Sequence, residues 1–495
     1  MGSNNADFDK AGSGSAGFSA GFSAGFDAVG AGTVNSADGV ENVRDSADDS
    51  VCTAGAAAEA APGAVTGAFA TRAIHAGYDP LDHGYAAVPP IYASAAFDLG
   101  DAVRGDALAA GNLDGFEYSR VANPTVDALE KRLAALEGGI GAVAVGSGMA
   151  AVSYALMCAG EGGGRIIAPN DLYGASVDAL GDFLPQFGIH TDFVKDINDL
   201  NEVESKIGPD TRAIFAETVS NPSTEILDIE PLAALAHRHG VALIVDNTVP
   251  TPYLLNPIRF GADIVVHSTT KGITGHGNAI GGAVIDGGHF DWANGRFPQF
   301  TARQQVISDD RAGEWHSFAE KFGNAAFIKR IRIKYLRTFG AVQSPFNAYL
   351  SLVGLETLPQ RVSQQVATAA RIAEHLTHSP HVTKVNYSGL GITPQYELVR
   401  KYFPNGVGQI MSFIVDGSPD NVRRIIDGTR LFSYVPNIGD ARSLIVDPAH
   451  ITHREVPAPA RAAAGVTDNM IRLSIGLEDA DDLIADLDQA IAGAY

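Results

Sequence analysis

The chain has little cysteine, little tryptophan and no dense block of basic residues. Its two cysteines, Cys52 and Cys158, give neither a disulfide framework nor a metal-ligand set, and this usage fits a reducing cytosol. Lys and Arg number 35 against 57 Asp and Glu, a net charge of -22. An acidic chain without a basic stripe argues against nucleic acid as a partner. Arg330, Arg332, Lys334 and Arg337 do cluster, and they are read as lying on one exposed helix. The uncharged run 138–160 is broken by Gly146-Ser147-Gly148, so it predicts strand, turn and buried helix rather than a membrane span. No basic segment leads into an apolar core at the start, which argues against a secretory signal. Ala6 stands where a myristoylation site needs Ser or Thr.

What the chain does have is organised unevenly. Residues 1–66 are rich in Gly, Ala, Ser, Asn and Asp, and the tetrapeptide Ser15-Ala16-Gly17-Phe18 recurs at Ser19 and Ser23. Such a segment buries too little apolar surface to offset its ordering entropy and is expected to be a disordered tail, passive or docking. Residues 67–130 read as an arm, extended up to about Asn112 and ending in a helix. Asn123-Pro124-Thr125 marks that helix start, with Thr125 as cap and Asp127 in the first turn. Leu129, Leu133 and Leu136 share one of its faces, with Lys131 and Arg132 elsewhere.

Over 131–357 short apolar runs alternate with helical periodicity. Strands are predicted at Ala142–Val145, Arg165–Ala168, His190–Phe193, Ala213–Glu217, Ala242–Asp246, Ile264–Ser268 and Ala283–Ile285. Helices fit Met149–Cys158, Ala175–Phe187, Leu200–Ile207 and Pro231–His239. Repeated β-α-β units with apolar strands predict an α/β fold with a mostly parallel seven-stranded sheet covered on both faces. Residues 358–495 read as a smaller α+β domain, with a helix at Arg361–Thr377, strands near Gln409–Val415 and a last helix from Ala480.

The chemistry gathers at strand ends, where open α/β sheets bind ligands. Lys271 follows Ile264-Val265-Val266 through Ser268, Thr269 and Thr270, and a partly buried amine there is suited to condensing with an aldehyde. A solvated loop lysine is the alternative. Asp246 closes the preceding strand, where it can hold a protonated ring nitrogen or simply cap a turn. An acid and a lysine ending successive strands is the arrangement a pyridoxal phosphate site requires. Gly146-Ser147-Gly148-Met149 leads a strand into a helix whose N–H groups suit phosphate. Tyr173 has a ring for a planar cofactor or for a core edge. Asn221 precedes Pro222 in a turn and is also placed to donate to a phenolic oxygen.

Tyr118-Ser119-Arg120, Gly146-Ser147-Gly148-Met149, Glu217-Thr218-Val219-Ser220-Asn221-Pro222, Val245-Asp246-Asn247-Thr248 and Ser268-Thr269-Thr270-Lys271 together resemble the cysteine/methionine-metabolism family of pyridoxal-phosphate enzymes. The resemblance spans about Gly67 to Tyr495 and implies the aspartate-aminotransferase-like fold (fold type I). By that likeness Lys271, Tyr173 and Asp246 are the catalytic trio. Gly148, Met149, Asn221, Thr248, Ser268 and Thr270 join them around the cofactor. Tyr118 and Arg120 resemble phosphate ligands delivered by a neighbouring subunit, making a dimer the minimum and a tetramer the expected assembly. Arg472 resembles the clamp on the substrate carboxylate, aided by Asn437 and Tyr118. No metal is implied.

Within the family, Gly275-His276-Gly277-Asn278, Gly287-Gly288-His289-Phe290-Asp291-Trp292, Asn437-Ile438-Gly439-Asp440 and an insertion between Phe290 and about Phe327 resemble the branch that replaces a γ-substituent. That implies a cytoplasmic transferase of methionine biosynthesis converting O-acetylhomoserine and sulfide, or a thiol, to homocysteine and acetate. Methionine γ-lyase and cystathionine γ-synthase chemistry remain open on the same site, as does a non-catalytic scaffold. The insertion and the loop 447–453 differ from the usual family pattern, both near the expected substrate entrance.

Overall fold

A computed structural model describes residues 65–308, 313–454, 461 and 465–495. Cys52, the Phe-bearing repeat and the rest of the expected tail, except Val65 and Thr66, lie outside the described residues.

Strands β1 (Gly141–Val145), β2 (Gly164–Pro169), β3 (Ile189–Val194), β4 (Thr211–Glu217), β5 (Ala242–Asp246), β6 (Ile264–His267) and β7 (Gly282–Asp286) form one sheet in the order β1-β7-β6-β5-β4-β2-β3. The run β3-β2-β4-β5-β6 is parallel, as the β-α-β pattern predicts. β7 is antiparallel to both β6 and β1. The link from β6 to β7 holds turns but no helix, so the chain folds straight back rather than crossing over.

Both faces of the sheet's centre are buried because its inner strands are mostly apolar, while the edge strand β3 carries His190, Thr191 and Asp192 and is partly exposed. Val143, Val145, Ile264 and Val266 enter one core with helix residues Val152, Tyr154 and Leu156. Ala142, Ala144, Val265 and Ile285 enter the other, with Leu129, Leu133, Leu232 and Leu235.

The helices α1 (Phe69–His75), α2 (Ala102–Ala109), α3 (Pro124–Glu137), α4 (Gly148–Gly160), α5 (Gly174–Asp178), α6 (Leu200–Lys206) and α7 (Ile229–Arg238) precede or link these strands. Several differ from expectation. The segment expected to be extended, 67–112, carries α1 and α2, and Ala73 of α1 is buried. α3 is capped by Asn123, whose Oδ1 accepts the Thr125 N–H; Pro124, which has no N–H to lose, occupies the first turn. Arg132 of α3 is buried, not solvated: its Nε donates to the Ala76 carbonyl at 2.9 Å and its guanidinium lies 3.6 Å from Glu356. The single helix expected over Ala175–Phe187 is α5 followed by a π turn and a 3-10 turn, since Pro185 supplies no N–H to the ladder.

The basic cluster is also redistributed. Arg330 is buried, with Nη2 2.6 Å from Glu161, and Arg332 pairs with Glu130, leaving Arg337 exposed. The insertion packs Phe290, Trp292, Phe297 and Phe300 against Phe327, with the Trp292 and Phe327 rings stacked 4.5 Å apart. It extends a hairpin of β8 (Gln304–Ser308) and β9 (Trp315–His316).

After the long helix Leu358–Leu376, strands β10 (Val382–Asn386), β11 (Ile410–Val415), β12 (Ser433–Tyr434), β13 (Leu444–Val446) and β14 (Met470–Ser474) make a second sheet, β10-β11-β14-β13-β12. The helix Ala480–Ala494 closes the chain. Among the described residues no helix is long and apolar enough to cross a membrane.

Candidate active site

The carboxyl ends of β4, β5 and β6 put the expected residues side by side. Glu217 and Asp246 are cross-strand partners, and Asp246 pairs in turn with Val266, five residues before Lys271. Asp246 Oδ1 accepts the Thr248 N–H at 2.9 Å, and Thr248 Oγ1 accepts the Ser268 N–H at 2.8 Å. One threonine therefore orients the acid on β5 and ties it to the turn after β6. Burial raises the Asp246 carboxyl above its ordinary range; Glu217 is pushed up further by burial and by the charge of Asp246. Two desolvated acids at the ends of neighbouring strands are costly unless something stabilises their charge.

Lys271 stands in the turn after β6. Its Nζ donates to Asn437 Oδ1 at 2.5 Å, so the small-sheet half of the molecule reaches the amine directly. Burial, with the nearby Arg472 charge, lowers the Lys271 amine to about 8, which leaves a substantial neutral fraction near neutrality. The solvated-lysine reading is excluded by that environment.

Arg472 sits on β14, 3% exposed. Nη1 donates to Asn221 Oδ1 at 3.2 Å and Nη2 to the Asn437 carbonyl at 3.0 Å, while Nε has no partner among the described residues. Desolvation lowers this guanidinium to about 10. A buried cation with an unused donor is incomplete by itself.

The turn before α4 completes the near side. Ser147 caps the helix, its Oγ accepting the Ala150 N–H at 3.1 Å, which leaves the Gly148 and Met149 N–H groups without intrahelical acceptors. A Cβ on Gly148 would stand 2.5 Å from Ser268 Cβ, so only glycine lets the α4 turn and the β6 turn meet. Thr270 Oγ1 bonds the Gly281 backbone, accepting its N–H at 3.0 Å. Tyr173 occupies the N-cap position of α5 without a side-chain capping bond and is 41% exposed, and its N–H donates to Glu217 Oε1 at 2.6 Å.

Tyr118 and Arg120 are the exceptions. Both are exposed; the Arg120 guanidinium lies over the Tyr118 ring, 5.1 Å from its centroid, and Arg120 Nη1 donates to the Arg337 carbonyl at 2.7 Å. No described contact joins them to Lys271 in the same chain. Two residues went unassigned from sequence. Glu217 has the same signal as Asp246, an acid ending an apolar strand. His453, buried next to Arg472 and lowered to about 4 by burial and by that charge, lies in the loop 447–453 and has no comparable sequence signal.

Residues 70–492 match the family profile described as Cys/Met metabolism PLP-dependent enzyme. The chain belongs to that family. An O-acetyl-L-homoserine sulfhydrylase of Leptospira meyeri is 41% identical over 424 residues, 85% of this chain and 96% of the relative. A homocysteine synthase of Schizosaccharomyces pombe is 39% identical, covering 86% of this chain and 98% of the relative. A Campylobacter jejuni crystal structure, assigned as an O-acetylhomoserine (thiol)-lyase and holding a pyridoxyl-lysine monophosphate, superposes with a TM-score of 0.81 at 37% identity, over 86% of this chain and 99% of that one.

Pyridoxal phosphate is therefore this family member's cofactor, and the residues present fit it. The fit is visible in the two desolvated acids at the ends of β4 and β5, the depressed lysine, the Arg472 Nε without a partner among the described residues and the glycine-only turn at Gly148.

Proposed function

We propose that the chain catalyses γ-replacement, converting O-acetyl-L-homoserine and sulfide, or a thiol, to L-homocysteine, or its thioether, and acetate. The relatives' names support the substrate pair. The single observation that carries the reading is the junction of Lys271, Asn437 and Arg472: a lysine of about 8 next to a buried arginine with a free donor.

When bound, pyridoxal phosphate supplies an electron sink for the substrate's α-carbon. Lys271 Nζ holds the cofactor's aldehyde and, once released, moves protons at the substrate's carbons. Asp246, oriented by Thr248, balances a protonated ring nitrogen. Tyr173 covers the ring face, and Asn221 donates its amide to the phenolic oxygen. Gly148, Met149, Ser268 and Thr270 take the phosphate. Arg472 grips the substrate's α-carboxylate, a role its planar fork suits, with Asn437 holding both Arg472 and the lysine.

The exposure of Tyr118 and Arg120 supports their delivery from the 67–130 arm to a neighbouring subunit's phosphate, with Tyr118 also reaching substrate. On this reading the enzyme is at least a dimer, expected as a tetramer. Residues 131–357 form its cofactor domain and 358–495 its substrate-clamping domain. The sparse, buried cysteine supports a cytoplasmic setting. The test is a product assay in three arms: O-acetylhomoserine with sulfide, with cysteine, or alone. Homocysteine from the first arm, far exceeding the others, supports replacement by sulfide. Cystathionine or 2-oxobutanoate as the main product would instead assign a synthase or a lyase.

A further inference from the structure

At the opposite end of β6 from Lys271, three side chains converge that the proposed reaction does not use. Asp263 immediately precedes β6, His237 lies in the last turn of α7, and His289 follows β7. His237 Nε2 stands 3.0 Å from both Asp263 carboxylate oxygens, and His289 Nε2 stands 2.9 Å from Oδ1. We propose that His237, Asp263 and His289 form a binding site for a divalent transition-metal ion, zinc by chemical class.

The spacing suits an ion. Two ligands each about 2.1 Å from a shared zinc are about 3.0–3.4 Å apart; the His237 nitrogen-to-oxygen separations sit at the short end of that range and the His289 separation falls just below it. All the candidate ligand atoms lie within 4.8 Å of one another. Two imidazoles and one carboxylate make a borderline set that favours zinc over magnesium or calcium, which take oxygen ligands.

The surroundings are also built. Asp263 Oδ2 accepts the Leu243 N–H at 2.7 Å, which fixes the carboxylate and leaves Oδ1 turned to the imidazoles. The Asp263 side chain has no exposed surface, whereas His237 and His289 keep 36% and 39%. An ion can thus enter from solvent and keep water in its remaining positions.

Such an ion would clip three separate elements: the end of α7, the start of β6 and the segment that opens the aromatic insertion. Phe290, next to His289, lies against His237 with ring centroids 6.1 Å apart. The effect expected is on stability and on anchoring of the insertion, not on the chemical step.

The test uses the full chain with its cofactor, carrying no polyhistidine tag and stripped with chelator, titrated calorimetrically with zinc chloride. The expected result is one zinc per chain, weakened at least about tenfold in His237→Gln and in His289→Gln. Zinc should also raise the melting temperature of the parent protein but not of either variant. Absence of stoichiometric binding, or binding and thermal response unchanged in both variants, overturns the proposal. Retained cofactor absorbance verifies that each variant is folded. Should one variant lose it, the other decides.

Discussion

Lys271 Nζ lies 2.5 Å from Asn437 Oδ1, and the backbone carbonyl of the same asparagine accepts Arg472 Nη2 at 3.0 Å. The amine on the large sheet and the guanidinium on the small sheet are thereby held by one residue. Burial, with the neighbouring Arg472 charge, lowers the lysine to about 8. The sign follows directly: the amine is cationic below that value and neutral above it, and only the neutral form attacks an aldehyde. Uptake of pyridoxal phosphate by the apoenzyme should accelerate through about pH 8 and level off above it. Arg472→Leu removes the neighbouring cation and should move that inflection to higher pH. Stopped-flow absorbance across a pH series measures both.

Arg472→Lys keeps the charge and loses the fork. Hydrogen bonds to charged groups contribute about 1.5–3 kcal/mol, so kcat/KM for O-acetylhomoserine should fall by about tenfold to a hundredfold, chiefly through KM. Steady-state kinetics separate this from a loss of cofactor, which the absorbance spectrum reports independently.

Gly148→Ala tests the meeting of the two turns. The added Cβ would lie 2.5 Å from Ser268 Cβ and 2.9 Å from its Cα, and overpacking of that kind costs about 1–3 kcal/mol. The expected result is pyridoxal phosphate affinity lowered about tenfold or more, with a reduced melting temperature. Fluorescence titration of the apoenzyme and a thermal melt measure the two effects.

Subunit mixing tests whether Arg120 acts across an interface. Arg120→Ala and Lys271→Ala proteins should each be nearly inactive. Unfolded together and refolded at equal amounts, they should regain about a quarter of parental activity, since half the dimers are hybrids with one intact site of two. If Arg120 serves its own chain, the mixture stays inactive.

Much of the fold was legible because most strands of the large sheet are short apolar runs, and β4, β5, β6 and β7 each close on a polar residue. Lys271 and Asp246 stand where that pattern predicts, and the helix after Ser147 begins at its glycine turn. What escaped was set by tertiary contacts. Arg330 reads as part of an exposed helix and Arg132 only as off the leucine face, yet both are buried, with Ala76, Glu356 and Glu161 from distant parts of the chain as partners. α1 was read as extended because its seven residues carry little periodicity of their own; packing against α3 stabilises it. His453 is defined by Arg472 beside it, a relationship between residues on different elements that no local pattern encodes.

The most direct test is to reduce the holoenzyme with borohydride, digest it and locate the pyridoxyl group by mass spectrometry. The account predicts a single modified peptide carrying the group on Lys271. A modification on another lysine, or none in protein that has taken up the cofactor, would contradict it.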